Sequence, residues 1–118
     1  MTPRPWPTDL VFKRAARVLE IAFDDGARFS IPFELLRVES PSAEVRGHGA
    51  APLPAIAGKE NIGVREAFPV GRYAVRIAFD DGHDTGLYAW DFLYELGRDA
   101  EIRMTSHKSR VTSRPHAP

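Results

Sequence analysis

The sequence predicts a small single domain of the α+β class, made of antiparallel strands with two short helices. Three observations predict it. The hexapeptide Ile21-Ala22-Phe23-Asp24-Asp25-Gly26 recurs letter for letter as Ile77-Ala78-Phe79-Asp80-Asp81-Gly82. Each copy ends a run of strand-like alternation. Each is followed by a shorter run and then by a stretch with helical spacing. The chain therefore reads as a repeated unit of strand, Asp-Asp-Gly turn, strand and helix. A length of 118 residues suits one such domain with a modest core.

Taken in order, residues 1–8 carry Pro3, Pro5 and Pro7 and read as an extended N-terminal segment, docked at most by Trp6. The domain proper is expected at 9–104. Leu10 and Phe12 begin a short strand, and Lys13, Arg14 and Arg17 punctuate the turn after it. In the next strand Leu19, Ile21 and Phe23 share one face. Asp24-Asp25-Gly26 turns the chain, with aspartates that tolerate turn geometry and a glycine that supplies positive φ. Phe29 and Ile31 mark the return strand. Pro32 stops it and opens a short helix carrying Phe33, Leu35 and Leu36.

The stretch from Ser40 to about Ala57, with Gly47, Gly49, Pro52 and Pro54, reads as a long irregular connection. A further strand is expected over 61–68, with Pro69-Val70-Gly71-Arg72 turning it. Tyr73, Val75, Ile77 and Phe79 then share one strand face. After the second Asp-Asp-Gly turn, Trp90, Leu93, Tyr94 and Gly97 fall on one side of a helix, with Gly97 as its C-cap. Residues 98–104 add a helical turn or coil, and the polar stretch 105–118 is expected to be disordered.

Composition excludes several function classes. Sixteen basic and sixteen acidic side chains cancel, so no long-range field attracts nucleic acid or an acidic membrane. The tail charges Arg103, Lys108, Arg110 and Arg114 read as solvation. No apolar run reaches the roughly 18 residues of a membrane span. The proline-rich start is not a secretory signal. There is no cysteine, hence no disulfide, thiolate nucleophile or cysteine-ligated cluster. A cytoplasmic monomer is the expectation.

Candidate chemistry is sparse. His83-Asp84-Thr85 extends the second hexapeptide and has no counterpart after the first. His83 reads either as a ligand beside Asp81 or Asp84, or as a turn histidine whose ring caps a neighbouring loop. One imidazole and one carboxylate fall short of a metal ligand set, which favours the second reading. The Asp24-Asp25 and Asp80-Asp81 pairs suit turn capping better than acid–base catalysis. Gly58-Lys59 lacks the spacing and hydroxyl of a phosphate-binding loop. No serine, histidine and aspartate are spaced as a nucleophile motif. The aromatic set Tyr73, Phe79, Tyr88, Trp90, Phe92 and Tyr94 is assigned mostly to the core.

Four spaced motifs carry a family resemblance: Leu35-Leu36-Arg37, the run Ser40-Pro41-Ser42-Ala43-Glu44-Val45-Arg46-Gly47-His48, Gly71-Arg72-Tyr73-Ala74-Val75, and Asp81-Gly82-His83-Asp84-Thr85-Gly86-Leu87-Tyr88. Together they resemble the DUF971 family, the N-terminal domain of gamma-butyrobetaine-hydroxylase-like proteins, over about residues 10–97. Members of that family occur alone, ahead of Fe(II)/2-oxoglutarate hydroxylase domains, and attached to P-loop iron–sulfur carrier ATPases. In the hydroxylases the resemblance implies a structural zinc on three cysteines and a histidine. His83 matches the histidine, but Ser40, Ser42 and Val45 stand at the cysteine positions. Two hydroxyls and an isopropyl group do not replace three thiolates on zinc, so the resemblance implies instead a hydrogen bond from His83 into the loop from Ser40 to Glu44. The catalytic jelly roll is absent, so the resemblance does not imply an enzyme.

The expectation is a non-catalytic binding or adaptor module with no cofactor and a protein partner, by resemblance an iron–sulfur carrier or an iron enzyme. Its surface would include Ser40, Ser42, Glu44, Arg46, His48, Lys59, His83, Asp84 and Thr85. The alternative is a protein that binds iron or zinc through His83, Asp84 and His48.

Overall fold

The elements follow the repeat. The computed structural model describes residues 5–41 and 58–112, with side chains to 109. In order they form β1 (Pro7–Lys13), β2 (Val18–Phe23), β3 (Arg28–Pro32), α1 (Phe33–Val38), β4 (Val64–Val70), β5 (Ala74–Phe79), β6 (Gly86–Ala89), α2 (Trp90–Arg98) and α3 (Ala100–Thr112). The strands make two antiparallel three-stranded sheets, β1-β2-β3 and β4-β5-β6. Each sheet comes from one unit, with the strand that precedes the Asp-Asp-Gly turn in its centre.

Both turns take the predicted form. Gly26 has φ +90° and Gly82 φ +93°, a region that favours glycine. Ala27 N–H donates to Asp25 Oδ1 at 2.9 Å, and His83 N–H to Asp81 Oδ1 at 3.0 Å. In each turn the second aspartate therefore satisfies the backbone two residues on.

The alternation places Leu19, Ile21, Phe23 and Ile31 of the first sheet and Val64, Val75, Ile77 and Phe79 of the second in one apolar cluster. Phe33, Leu35 and Leu36 of α1 and Leu93 and Leu96 of α2 complete it. Phe33, Leu35, Leu36, Leu93 and Leu96 are fully buried. Burial of such side chains contributes roughly 1.5–3 kcal/mol each, the main force holding the sheets together.

Several expectations change. The extended segment ends sooner, because β1 starts at Pro7, where Pro7 faces Phe23 on an edge strand. β4 begins at Val64 rather than residue 61 and runs through Pro69 to Val70. Proline is tolerated there because β4 is an edge strand. The turn follows at Gly71, and Tyr73 lies outside β5 and 59% exposed. Gly97 is interior to α2, whose C-cap is Asp99. A Cβ at Gly97 would collide with the Phe29 ring, so this glycine permits close packing of α2 on β3.

The largest correction is a third helix. Residues 105–112, expected to be disordered as part of 105–118, form the second half of α3. Polar composition hid a tertiary contact. His107 is buried against α1, with its Nε2 3.0 Å from Glu34 Oε2. Arg103, read as a tail charge, lies 3.2 Å from Glu39 Oε1 and 3.8 Å from Asp99 Oδ2. The side chain of Arg110 and all of Arg114 lie outside the described residues.

Candidate functional site

The site forms where the C-terminal end of α1 meets the β5–β6 turn. α1 runs from the proline stop to Val38, and its last turn projects Arg37 toward the second unit. Arg37 Nε donates to Asp81 Oδ2 at 2.8 Å, and Lys59 Nζ donates to the same oxygen at 2.8 Å. Asp81 Oδ1 is taken by the His83 N–H. One carboxylate thus gathers two cations and a turn amide. Its side chain is 19% exposed. Partial burial alone would raise its pKa, but the hydrogen bonds from Lys59, the His83 N–H and Arg37 outweigh this. They hold the carboxyl well below the usual carboxylate range.

Beside it, Ser40 Oγ and His83 Nε2 share a hydrogen bond of 2.8 Å. The expected contact of His83 with the loop after α1 is therefore present, at Ser40. A Cβ on Gly86 would meet Ser40 Oγ and the Tyr88 ring, so the absent side chain lets the loop approach β6. Beneath, the Tyr88 hydroxyl donates to Leu36 C=O at 2.5 Å. Burial pushes the Tyr88 phenol up, against a Ser40 hydrogen bond and the Arg37 charge, so it stays a neutral donor.

Arg37 and Ser40 at the end of α1 and Lys59 before β4 all reach the same turn, which fastens these two stretches of chain at one place. Among the predicted site residues, the structure brings Ser40, Lys59 and His83 together. Asp84 contributes its carbonyl, which accepts from Arg76 Nη1 at 2.8 Å. Thr85 sits exposed at the end of the turn. Ser42, Glu44, Arg46 and His48 lie outside the described residues. Sequence reasoning missed Arg37 as a member of the site and weighed Asp81 only as a companion ligand or turn-capping residue beside His83. Arg37 stood in a recognised motif, but nothing local tied it to a turn 44 positions away.

The arrangement does not fit the zinc that the resemblance implies. His83 supplies one good ligand nitrogen, and that nitrogen is bonded to a serine hydroxyl. Asp81 faces two cations. Among the described residues no group of three or more His, Asp or Glu converges. The Ser40–His83 contact has the reach of a nucleophile and base. However, Asp81 binds the His83 backbone amide, so it does not orient the ring as the third member of a triad. No helix among the described residues is long and apolar enough to cross a membrane.

Comparison with known proteins identifies the family and the fold. The family model described as gamma-butyrobetaine hydroxylase-like, N-terminal, matches residues 10–94. A protein solved in solution by NMR is 46% identical, with a TM-score of 0.79, over 96% of this chain and 86% of that one. A second NMR structure is 36% identical, with a TM-score of 0.81, over 94% and 87% of the two chains. A crystal structure of a DUF971 protein of unknown function from Acidithiobacillus ferrooxidans is 37% identical. Its TM-score is 0.65, over 77% of this chain and 91% of that one. No curated protein matches. With the family model spanning most of the chain, the protein belongs to the gamma-butyrobetaine hydroxylase-like N-terminal family, DUF971.

Proposed function

We propose that this chain is a non-catalytic adaptor module, and that its partner is a protein of iron–sulfur or iron-enzyme metabolism. The observation that supports this reading is the shared anchoring of Arg37, Ser40 and Lys59 on the Asp81–His83 turn. A fixed base of that kind suits presentation of a recognition surface. The site's polar groups are spent on one another, so they hold shape rather than poise a reactive atom. The partner class comes from the family resemblance, whose members are joined to iron–sulfur carriers and iron hydroxylases.

The direct test is calorimetric titration of the purified chain with an iron–sulfur carrier ATPase. Binding that weakens at least tenfold on Asp81→Ala, with the fold intact by circular dichroism, supports the reading. Absence of binding, or equal binding by the variant, overturns it.

A further inference from the structure

β1 is an edge strand, and among the described residues no strand pairs with its outer side. Which backbone groups lie on that side follows from the neighbouring turn. Phe23 N–H donates to Ala27 C=O at 2.9 Å, and Phe23 C=O accepts from Gly26 N–H at 3.0 Å. Phe23 thus directs its backbone toward the β3 side, and Ala22, the residue before it, directs its own at β1. Ala22 pairs with Asp9, Glu20 with Val11 and Val18 with Lys13. Antiparallel ladders alternate, so Asp9, Val11 and Lys13 bond to β2 while Leu10 and Phe12 present N–H and C=O outward. We propose that this edge pairs antiparallel with β1 of a second copy of the chain, centred on Val11.

The other sheet edges are guarded. β4 carries Pro69 and a register shift between Val64 and Glu66, and Arg14 Nη2 donates to its Arg65 C=O at 3.1 Å. β6 has only four residues, and β3 lies against α1 and α2. Proline, bulges, short strands and covering helices are the usual protection of an edge against pairing. β1 has such protection only at its start, where Pro7 precedes a register shift. From Asp9 to Lys13 its edge is regular.

A two-fold axis limits the register, because outward residues must meet outward residues. Centred on Leu10, Asp9 meets Val11; centred on Phe12, Lys13 meets Val11. Centred on Val11, Asp9 lies opposite Lys13 of the second copy, and Lys13 opposite Asp9 of the second copy. Lysine on an edge strand ordinarily repels a second strand. In this register it meets a carboxylate at each end. Leu10 and Phe12 exchange backbone hydrogen bonds across the axis, and their side chains meet on the face that packs against the core. Val11, 41% exposed, meets Val11 of the second copy on the outer face. The Lys13 ammonium lies 3.4 Å from Glu20 Oε1, an exposed contact that leaves donors for a second carboxylate. The pairing joins the first sheets of both copies into one continuous sheet.

Sedimentation velocity of the full chain from micromolar to millimolar concentration reads the association, and amide hydrogen exchange locates it. The expected result is a monomer–dimer equilibrium, with exchange at Leu10 and Phe12 slowing as concentration rises. Asp9→Lys sets like charges opposite each other at both ends and weakens the dimer roughly tenfold. Asp9→Lys combined with Lys13→Asp exchanges the signs and restores it. Both positions are exposed, and unchanged unfolding temperatures at low concentration separate lost association from lost fold. A monomer at every concentration overturns the proposal. So does a dimer indifferent to the reversal and its rescue, which places the interface on another face. Protection of Leu10 and Phe12 that is independent of concentration assigns the edge to an occupant from the same chain and likewise overturns it.

Discussion

Asp25 and Asp81 occupy the same position of the repeat, and each is held by the helix of the other unit. Asp25 Oδ2 accepts from the Tyr94 hydroxyl of α2 at 2.6 Å, and Asp81 Oδ2 accepts from Arg37 of α1 at 2.8 Å. The exchange locks the two units reciprocally. The two clasps differ in strength for a physical reason. Asp25 meets a neutral hydroxyl, whereas Asp81, with its side chain 19% exposed, meets two cations.

Acid should release the second clasp. The Asp81 carboxyl is held below its ordinary 3.8, so the fold prefers the ionised form. Its stabilisation is complete above that value and is lost as pH falls through it toward the lower folded value. The stability gap between the wild type and Asp81→Asn should be widest near neutral pH and narrow below about pH 4. Denaturant melts across pH check this; a constant gap from neutral to strongly acid pH contradicts it.

Gly82→Val should destabilise the domain. The φ of +93° is strained for any side chain, most for a β-branched one. The space around a Cβ is open, so the loss is conformational rather than a clash, about 1–3 kcal/mol. An unchanged unfolding temperature would show that the turn is wrongly described.

Gly97→Ala sets two effects against each other. Helix propensity favours alanine by about 1 kcal/mol. The Cβ meets the Phe29 ring, and overpacking of this kind costs about 1–3 kcal/mol. Packing should win, giving a lower unfolding temperature in the variant. A more stable single variant contradicts the contact.

His107→Ala should loosen α3. It removes a buried ring and leaves Glu34, whose side chain is 12% exposed, without this partner. The expected loss is about 1–3 kcal/mol. Because His107 Nδ1 makes no hydrogen bond among the described residues, the Nε2 contact carries the polar side of the docking. Hydrogen exchange should quicken across 100–112 and stay slow in β5. Unchanged protection of α3 contradicts this docking.

These residues also show what was legible in the sequence. The repeated hexapeptide gave both hairpins, their glycines and the backbone-capping aspartates, because turn chemistry is local. The helix after each return strand was legible from periodicity. Gly97 was misread, since a glycine near a helix end looks the same whether it caps or yields to a neighbour. α3 was hidden because His107 is buried by a contact 73 positions away, not by its own neighbours. The Ser40–His83 contact was foreseen from the family resemblance. The convergence of Arg37 and Lys59 on Asp81 was not, because it depends on the exchange of helices between units.

The Ser40–His83 hydrogen bond ties the end of α1 to the second turn. A double-mutant cycle on Ser40→Ala and His83→Ala, run in a chelator, tests it most directly. The predicted result is a coupling of about 0.5–1.5 kcal/mol and an unfolding temperature unaffected by the chelator. A coupling of zero within error, or a wild-type chain that loses stability when chelator is added, would contradict it.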